Sequence, residues 1–139
     1  MDKEHKIFLI GCFITVSVIA YLLNWNFDSM ADTATTLVSI AVGVYIAAAS
    51  ALLGSPYAKE LKQTTDKKRT SNTLLGTLLD YFRHAGKLGI TTVIVSCLYK
   101  IPATYNVPII IARIGSAAAY GIFFCNILFL WLVFVFLVN

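Results

Sequence analysis

The chain has 139 residues, 58% of them hydrophobic and only 13% charged, and a soluble domain of this size cannot hide so much apolar surface. The class is an integral membrane protein, with room for one helical bundle and none for a separate soluble domain. A net charge of +4 on a soluble surface would point to nucleic acid; beside membrane spans it points to topology and anionic lipid, so no nucleic acid partner is expected.

A short polar tail, MDKEHK, precedes the first apolar run. That run, residues 7–25, would extend about 28 Å as a helix, close to the hydrocarbon thickness of a bilayer. Tyr21 and Trp25 resemble an interfacial anchor at its far end. Nothing ends it with a small-residue cleavage pattern, so it is expected to be a retained span. The LIGC box at Cys12 lies too close to Lys6 to follow a signal-peptide core.

The link that follows carries Asp28 and Asp32 and no Lys or Arg. Asp32 is expected to cap the second span, 33–54, by accepting from free backbone N–H groups and opposing the helix dipole. Ser55-Pro56 should close it, because proline pushes the residue before it out of helical geometry. Inside this span a small residue falls at every fourth position: Ser39, Gly43, Ala47, Ala51 and Ser55. Such a ridge lets another backbone approach closely, either within one subunit or between copies in a homo-oligomer.

Residues 56–86 are of a different character. Lys59, Lys62, Lys67, Lys68, Arg69 and Arg83, followed by Lys87, stand against Glu60, Asp66 and Asp80. The positive-inside rule assigns this segment to the cytoplasm, and with four spans both termini join it there. QTTDKKRTSN reads as a solvated turn. Beyond it Leu75, Leu78, Leu79 and Phe82 make 71–86 an amphipathic helix that lies on the inner membrane surface or extends the next span as a shaft. An extended basic helical hairpin between helices 2 and 3 is therefore expected. Its cations are candidate contacts for anionic lipid or an acidic cytosolic partner.

The third span, 86–101, is free of charge only from Leu88 to Tyr99, a length that fits a re-entrant or buried segment as well as a crossing. Lys87 and Lys100 can snorkel to opposite interfaces and lengthen it, which favours a crossing. Pro102 and Pro108 bracket a tight link, and Arg113 marks the start of the last span, 114–138. Its first half is small and its second bulky and aromatic. Asn126 is the one strongly polar amide at membrane depth, suited to an interhelical hydrogen bond or to a ring of amides in an oligomer.

Several chemistries lack their residues. No Asp or Glu lies inside a span, which argues against a proton-coupled carrier, including the small multidrug-resistance type. Cys12, Cys97 and Cys125 form no CxxC pair and sit in apolar runs, so buried thiols are expected rather than disulfides or metal ligands. His5 and His84 have no nucleophile placed with them. No catalytic, cofactor or metal site is expected, and without an internal repeat an inverted-repeat transporter is not supported.

The expectation is an all-α, single-domain membrane protein of four spans, multi-pass in a bacterial inner membrane, working as a homo-oligomeric sensor or anchor subunit. Its main rival is a holin-like pore, favoured if Asn126, Ser96 and Thr91 face a common axis; a small transporter component is the second. The layout, with its basic centre around Asp66-Lys67-Lys68-Arg69, resembles the small four-span membrane subunits of bacterial anti-phage defence systems, such as the Kiwa membrane subunit. That resemblance implies a cytosolic effector as partner. It has no motif from which functional residues could be transferred.

Overall fold

The computed structural model describes residues 3–64, 73–101 and 108–138. Five helices are formed: α1 Lys3–Leu22, α2 Asp28–Gly54, α3 Tyr57–Gln63, α4 Leu74–Tyr99 and α5 Ile109–Val138. Three of them are long and apolar enough to cross a membrane, over His5–Leu22, Asp28–Gly54 and Ile109–Val135. The solvated turn with Lys67, Lys68 and Arg69 and the link at 102–107 lie outside the described residues.

The helix ends depart from the expected bounds for local reasons. α1 stops at Leu22, three residues short of Trp25, because Asn24 takes a left-handed φ of 53°. The Trp25 N–H then donates to Ala20 O at 3.0 Å and satisfies a terminal carbonyl. α2 starts at Asp28, not beside Asp32. Asn26 begins it: its Oδ1 accepts from the Asp28 N–H at 3.2 Å, and Asp28 then opposes the dipole. Ser55 is extended ahead of Pro56 and closes α2 at Gly54.

Of the two placements expected for the amphipathic segment 71–86, the surface helix is not formed. From Leu74 onward the segment is continuous with the next apolar run as the first half of α4, capped by Thr73, whose side chain accepts from the Gly76 N–H at 3.2 Å, while residues 71 and 72 lie outside the described residues. Its apolar face is inside the bundle, where Leu78 and Phe82 are buried with Leu9, Tyr45, Phe129 and Val133. What remains of the hairpin is the seven-residue α3, joined to α4 by a hydrogen bond from the Leu74 N–H to Thr64 O at 3.0 Å. The last helix also begins early. It starts at Ile109, where Pro108 O accepts from the Ile111 and Ala112 N–H groups, so Arg113 lies one turn inside rather than at the start.

The four long helices pack antiparallel in the order α1, α5, α4, α2, and the main interfaces are α2 with α4, α1 with α5, and α4 with α5. α1 and α2, though neighbours in sequence, barely meet. Their connection is instead anchored by Phe27, fully buried edge-on to Tyr99 and Tyr120 at centroid distances of 5.3 and 5.2 Å. Tyr120 Oη also donates to Asn26 O at 3.2 Å. Glycines permit the closest approaches: a Cβ at Gly121 would lie 2.4 Å from Ser17 Oγ and 2.8 Å from Phe13, and one at Gly89 would lie 2.4 Å from Val42 Cγ2. In lipid, where apolar burial between helices gains little, such close packing is the main adhesive.

Candidate functional site

The polar side chains sort into two rims and one buried layer. At one end of the bundle, Lys100 reaches across from the end of α4 to Asp32 at 3.0 Å and Asp28 at 3.9 Å. The hydrogen bond to Asp32 holds the Lys100 ammonium above its ordinary pKa, with the charges of Asp32 and Asp28 adding to it. Asp32 is therefore an ion-pair partner and not a cap. Close by, the Arg113 guanidinium lies 5.5 Å from the Tyr21 ring centroid.

At the other end His5 Nδ1 meets Tyr81 Oη at 2.5 Å, Arg83 Nη1 stands 3.6 Å from Asp80, and Lys59 and Lys62 project from α3. At 1.5 Å rise per residue, Arg83 lies about 25 Å from Lys100, Ser50 about 27 Å from Asp32 and His5 about 25 Å from Leu22. All three separations match a hydrocarbon core of about 30 Å. Lys87 is exposed one turn further in, within snorkelling reach of the basic rim.

Between the rims, Asn126 is buried at the junction of α4 and α5. Its Nδ2 donates to Leu88 O and Ile122 O, both at 3.3 Å, and to Thr92 Oγ1. Thr92 in turn donates to Leu88 O at 2.9 Å. The Asn126 Nδ2 is thus engaged within one chain, in an interhelical hydrogen bond from α5 to α4, while its Oδ1 has no partner among the described residues. Ser96 shares this buried layer, but Thr91 is exposed and its hydroxyl bonds Lys87 O at 2.9 Å on the outer face. The three residues that a pore would need on one axis are split between the inside and the outside.

The ridge on α2 likewise turns outward. Ser39, Gly43, Ala47 and Ala51 are exposed, Ser55 is half-buried, and the face that packs on α4 is Ala31, Ala34, Val38, Ala41 and Tyr45. A Cβ at Gly43 would meet nothing within 4 Å. Packing inside the subunit is therefore excluded for the ridge, which leaves contact between copies or with lipid. Gly43→Leu should leave the monomer fold intact, with thermal stability in detergent no lower than the parent's, because a leucine here meets no clash and gains helix propensity. A fall in native mass would then assign the ridge to self-association, and an unchanged mass would assign it to lipid.

The cysteines are free, with Cys125 buried, Cys12 half-buried and Cys97 exposed. Cys125 donates to Leu9 O at 3.5 Å and sits beside Cys12, a proximity across α1 and α5 that no sequence spacing reveals. The expectation of burial holds for Cys125, is met in part for Cys12, and fails for Cys97, which lies on the outer face of α4.

Residues that matter most to the packing were visible as a second pattern. Ala85, Gly89, Thr92 and Ser96, spaced four, three and four apart, are all buried on α4. Ala31, Ala34, Val38, Ala41 and Tyr45 follow the same alternation on α2. No family model, curated protein or solved structure matches the chain.

Proposed function

We propose that the chain is a four-span, non-catalytic subunit that senses or anchors at a membrane, with both termini on the cytoplasmic side, and that it works with a cytosolic partner as a homo-oligomer. The observation that carries this reading is the asymmetry of the two rims. At one end Lys100 and Arg113 stand with Asp28 and Asp32, whereas at or near the opposite end Lys59, Lys62, Arg83 and Lys87 outnumber Glu60 and Asp80 among the described residues. By the positive-inside rule that end faces the cytoplasm. In a bacterial cell the membrane is then the inner one, and the anti-phage resemblance makes phage challenge of a deletion strain a natural assay.

A crossing by α4 is part of this proposal. Its first half carries Asp80, Arg83 and Lys87 on an exposed face while its other face is continuous with the core. In a cysteine-free background, His84→Cys should react with a membrane-impermeant maleimide only after the inner membrane is permeabilised, and Ile101→Cys before it. Equal reactivity from one side would overturn the crossing. For the partner, the tagged protein extracted in mild detergent should bring a stoichiometric cytosolic protein. Charge reversal at Lys59 and Lys62 together with Lys67, Lys68 and Arg69 should release it. A homo-oligomer that brings nothing with it removes the anchor reading and leaves a self-contained membrane device.

A further inference from the structure

α1 and α5 approach closely at Gly121, where a Cβ would fall 2.4 Å from Ser17 Oγ and 2.8 Å from Phe13 Cδ2. One turn further along this antiparallel pair, the Cys125 thiol faces the turn of α1 between Leu9 and Phe13 and donates to Leu9 O at 3.5 Å. Cys12 belongs to that turn, and its side chain meets Cys125. A disulfide needs Cα atoms about 5.5–6 Å apart and Cβ atoms about 3.8 Å apart. Facing residues on two helices seated on a glycine fall within that span.

Depth decides what could oxidise the pair. Along α1, Cys12 lies about 10 Å inside His5 and about 15 Å from Leu22. Both sulfurs therefore sit in the hydrocarbon, on two of the helices long and apolar enough to cross a membrane. Exchange with an aqueous disulfide requires a thiolate, and a charge at that depth is costly. A soft monovalent metal ion held by two thiolates would leave a net negative charge there as well. A disulfide is neutral. The oxidant that matches it is a lipid-soluble quinone, which takes up two electrons together with two protons.

We propose that Cys12 and Cys125 form a redox pair that a lipid-soluble quinone closes into a disulfide between α1 and α5. Both S–H bonds break and one S–S bond forms. The two electrons and two protons pass to the quinone, whose carbonyl oxygens become the hydroxyls of a quinol, and no charge is left in the membrane. Cys12, half-buried, is the thiol that a quinone can approach from the lipid, and the buried Cys125 is the second thiol. The inference adds a chemical stimulus to the membrane-sensing proposal, but it rests on α1 and α5 alone and needs neither the cytosolic partner nor the crossing by α4.

The test uses the full chain carrying Cys97→Ser, which silences the thiol on the outer face of α4, reduced and reconstituted in phosphatidylglycerol vesicles. Decylubiquinone, whose ring has no free position for a thiol to add to, should remove two hydrogen atoms per chain by intact mass. It should also give a linked Cys12–Cys125 peptide and one quinol per chain. Oxidised glutathione at the same concentration should leave both thiols free to react with maleimide after denaturation. The closed form should melt roughly 5 °C or more above the open form in detergent, because the link constrains most of the unfolded chain. Cys12→Ala should stay within a few degrees of the parent without quinone, and with quinone should show no loss of hydrogen and no quinol. Thiols still free after quinone treatment, a link only between chains, equal oxidation by glutathione, or a closed form that melts below the open one would each overturn the proposal. None of these results touches the partner extraction or the maleimide pattern at His84 and Ile101, so failure here is separable from failure of the sensing proposal.

Discussion

Gly89→Leu should fail to give a stable bundle, with the melting temperature in detergent lowered by roughly 10 °C or more. A Cβ at this position falls 2.4 Å from Val42 Cγ2, 3.4 Å from Val38 Cγ1 and 3.7 Å from Asn126 Oδ1, so α2, α4 and α5 all meet there. Valine is branched at Cβ and cannot swing a methyl aside without leaving its rotamer. The conflict must therefore be relieved by moving α2 away from α4, across the largest interface in the molecule. Overpacking of this kind costs about 3 kcal/mol, and more with the full leucine side chain. Alanine makes the sharper test. In an exposed helix Gly→Ala gains about 1 kcal/mol of propensity, so a Gly89→Ala protein less stable than the parent shows that packing outweighs propensity at this site. A parent-like melting curve for Gly89→Leu would mean that α2 and α4 are not in contact at this level. Gly43→Leu, on the open face of the same α2, is the internal control.

Asn126→Asp should be nearly as damaging, for an electrostatic reason. The native amide places its N–H donors toward Leu88 O, Ile122 O and Thr92 Oγ1. An ionised carboxylate in the same position faces two carbonyl oxygens with no donor of its own. It also stands near the middle of the span, where a carboxylate costs about 3 kcal/mol on insertion scales. Asn126→Leu is the milder change. It loses interhelical hydrogen bonds worth roughly 0.6–2 kcal/mol but also removes the buried Oδ1, which has no partner among the described residues. Thermal unfolding of the two variants side by side should therefore rank aspartate well below leucine. Native mass should be unchanged for leucine, because the amide is engaged within the subunit. A leucine variant that dissociates to a smaller species would return Asn126 to an intersubunit role.

The two glycines on α2 and α4 show how far a sequence pattern can be taken. Ser39, Gly43, Ala47, Ala51 and Ser55 form the more conspicuous row, yet they do not pack within the subunit. A row at strict four-residue spacing winds around a 3.6-residue helix by about 40° per step, so five members sweep nearly half the circumference. No straight neighbour can follow that path. Rows that alternate three and four stay in place to within about 20° per seven residues. Both buried faces obey this rule: Ala31, Ala34, Val38, Ala41 and Tyr45 on α2, and Ala85, Gly89, Thr92 and Ser96 on α4.

What the sequence determined by itself was local. Hydrophobic runs of bilayer length, the proline after Ser55 and the segregation of basic residues to one segment follow from composition and backbone chemistry, and they establish an all-helical, membrane-type chain. The tertiary structure decided everything that depends on which helix lies beside which. It chose between the two placements open to the amphipathic segment, joining it to the following apolar run as a single α4, because Leu78 and Phe82 find Leu9, Tyr45 and Phe129 from three other helices. It paired Asp32 with Lys100 instead of with its own helix end and turned Asn126 inward. In a bilayer, apolar periodicity no longer distinguishes inside from outside, since lipid and core are equally apolar. The faces are then set by steric fit and hydrogen bonds between helices far apart in the chain.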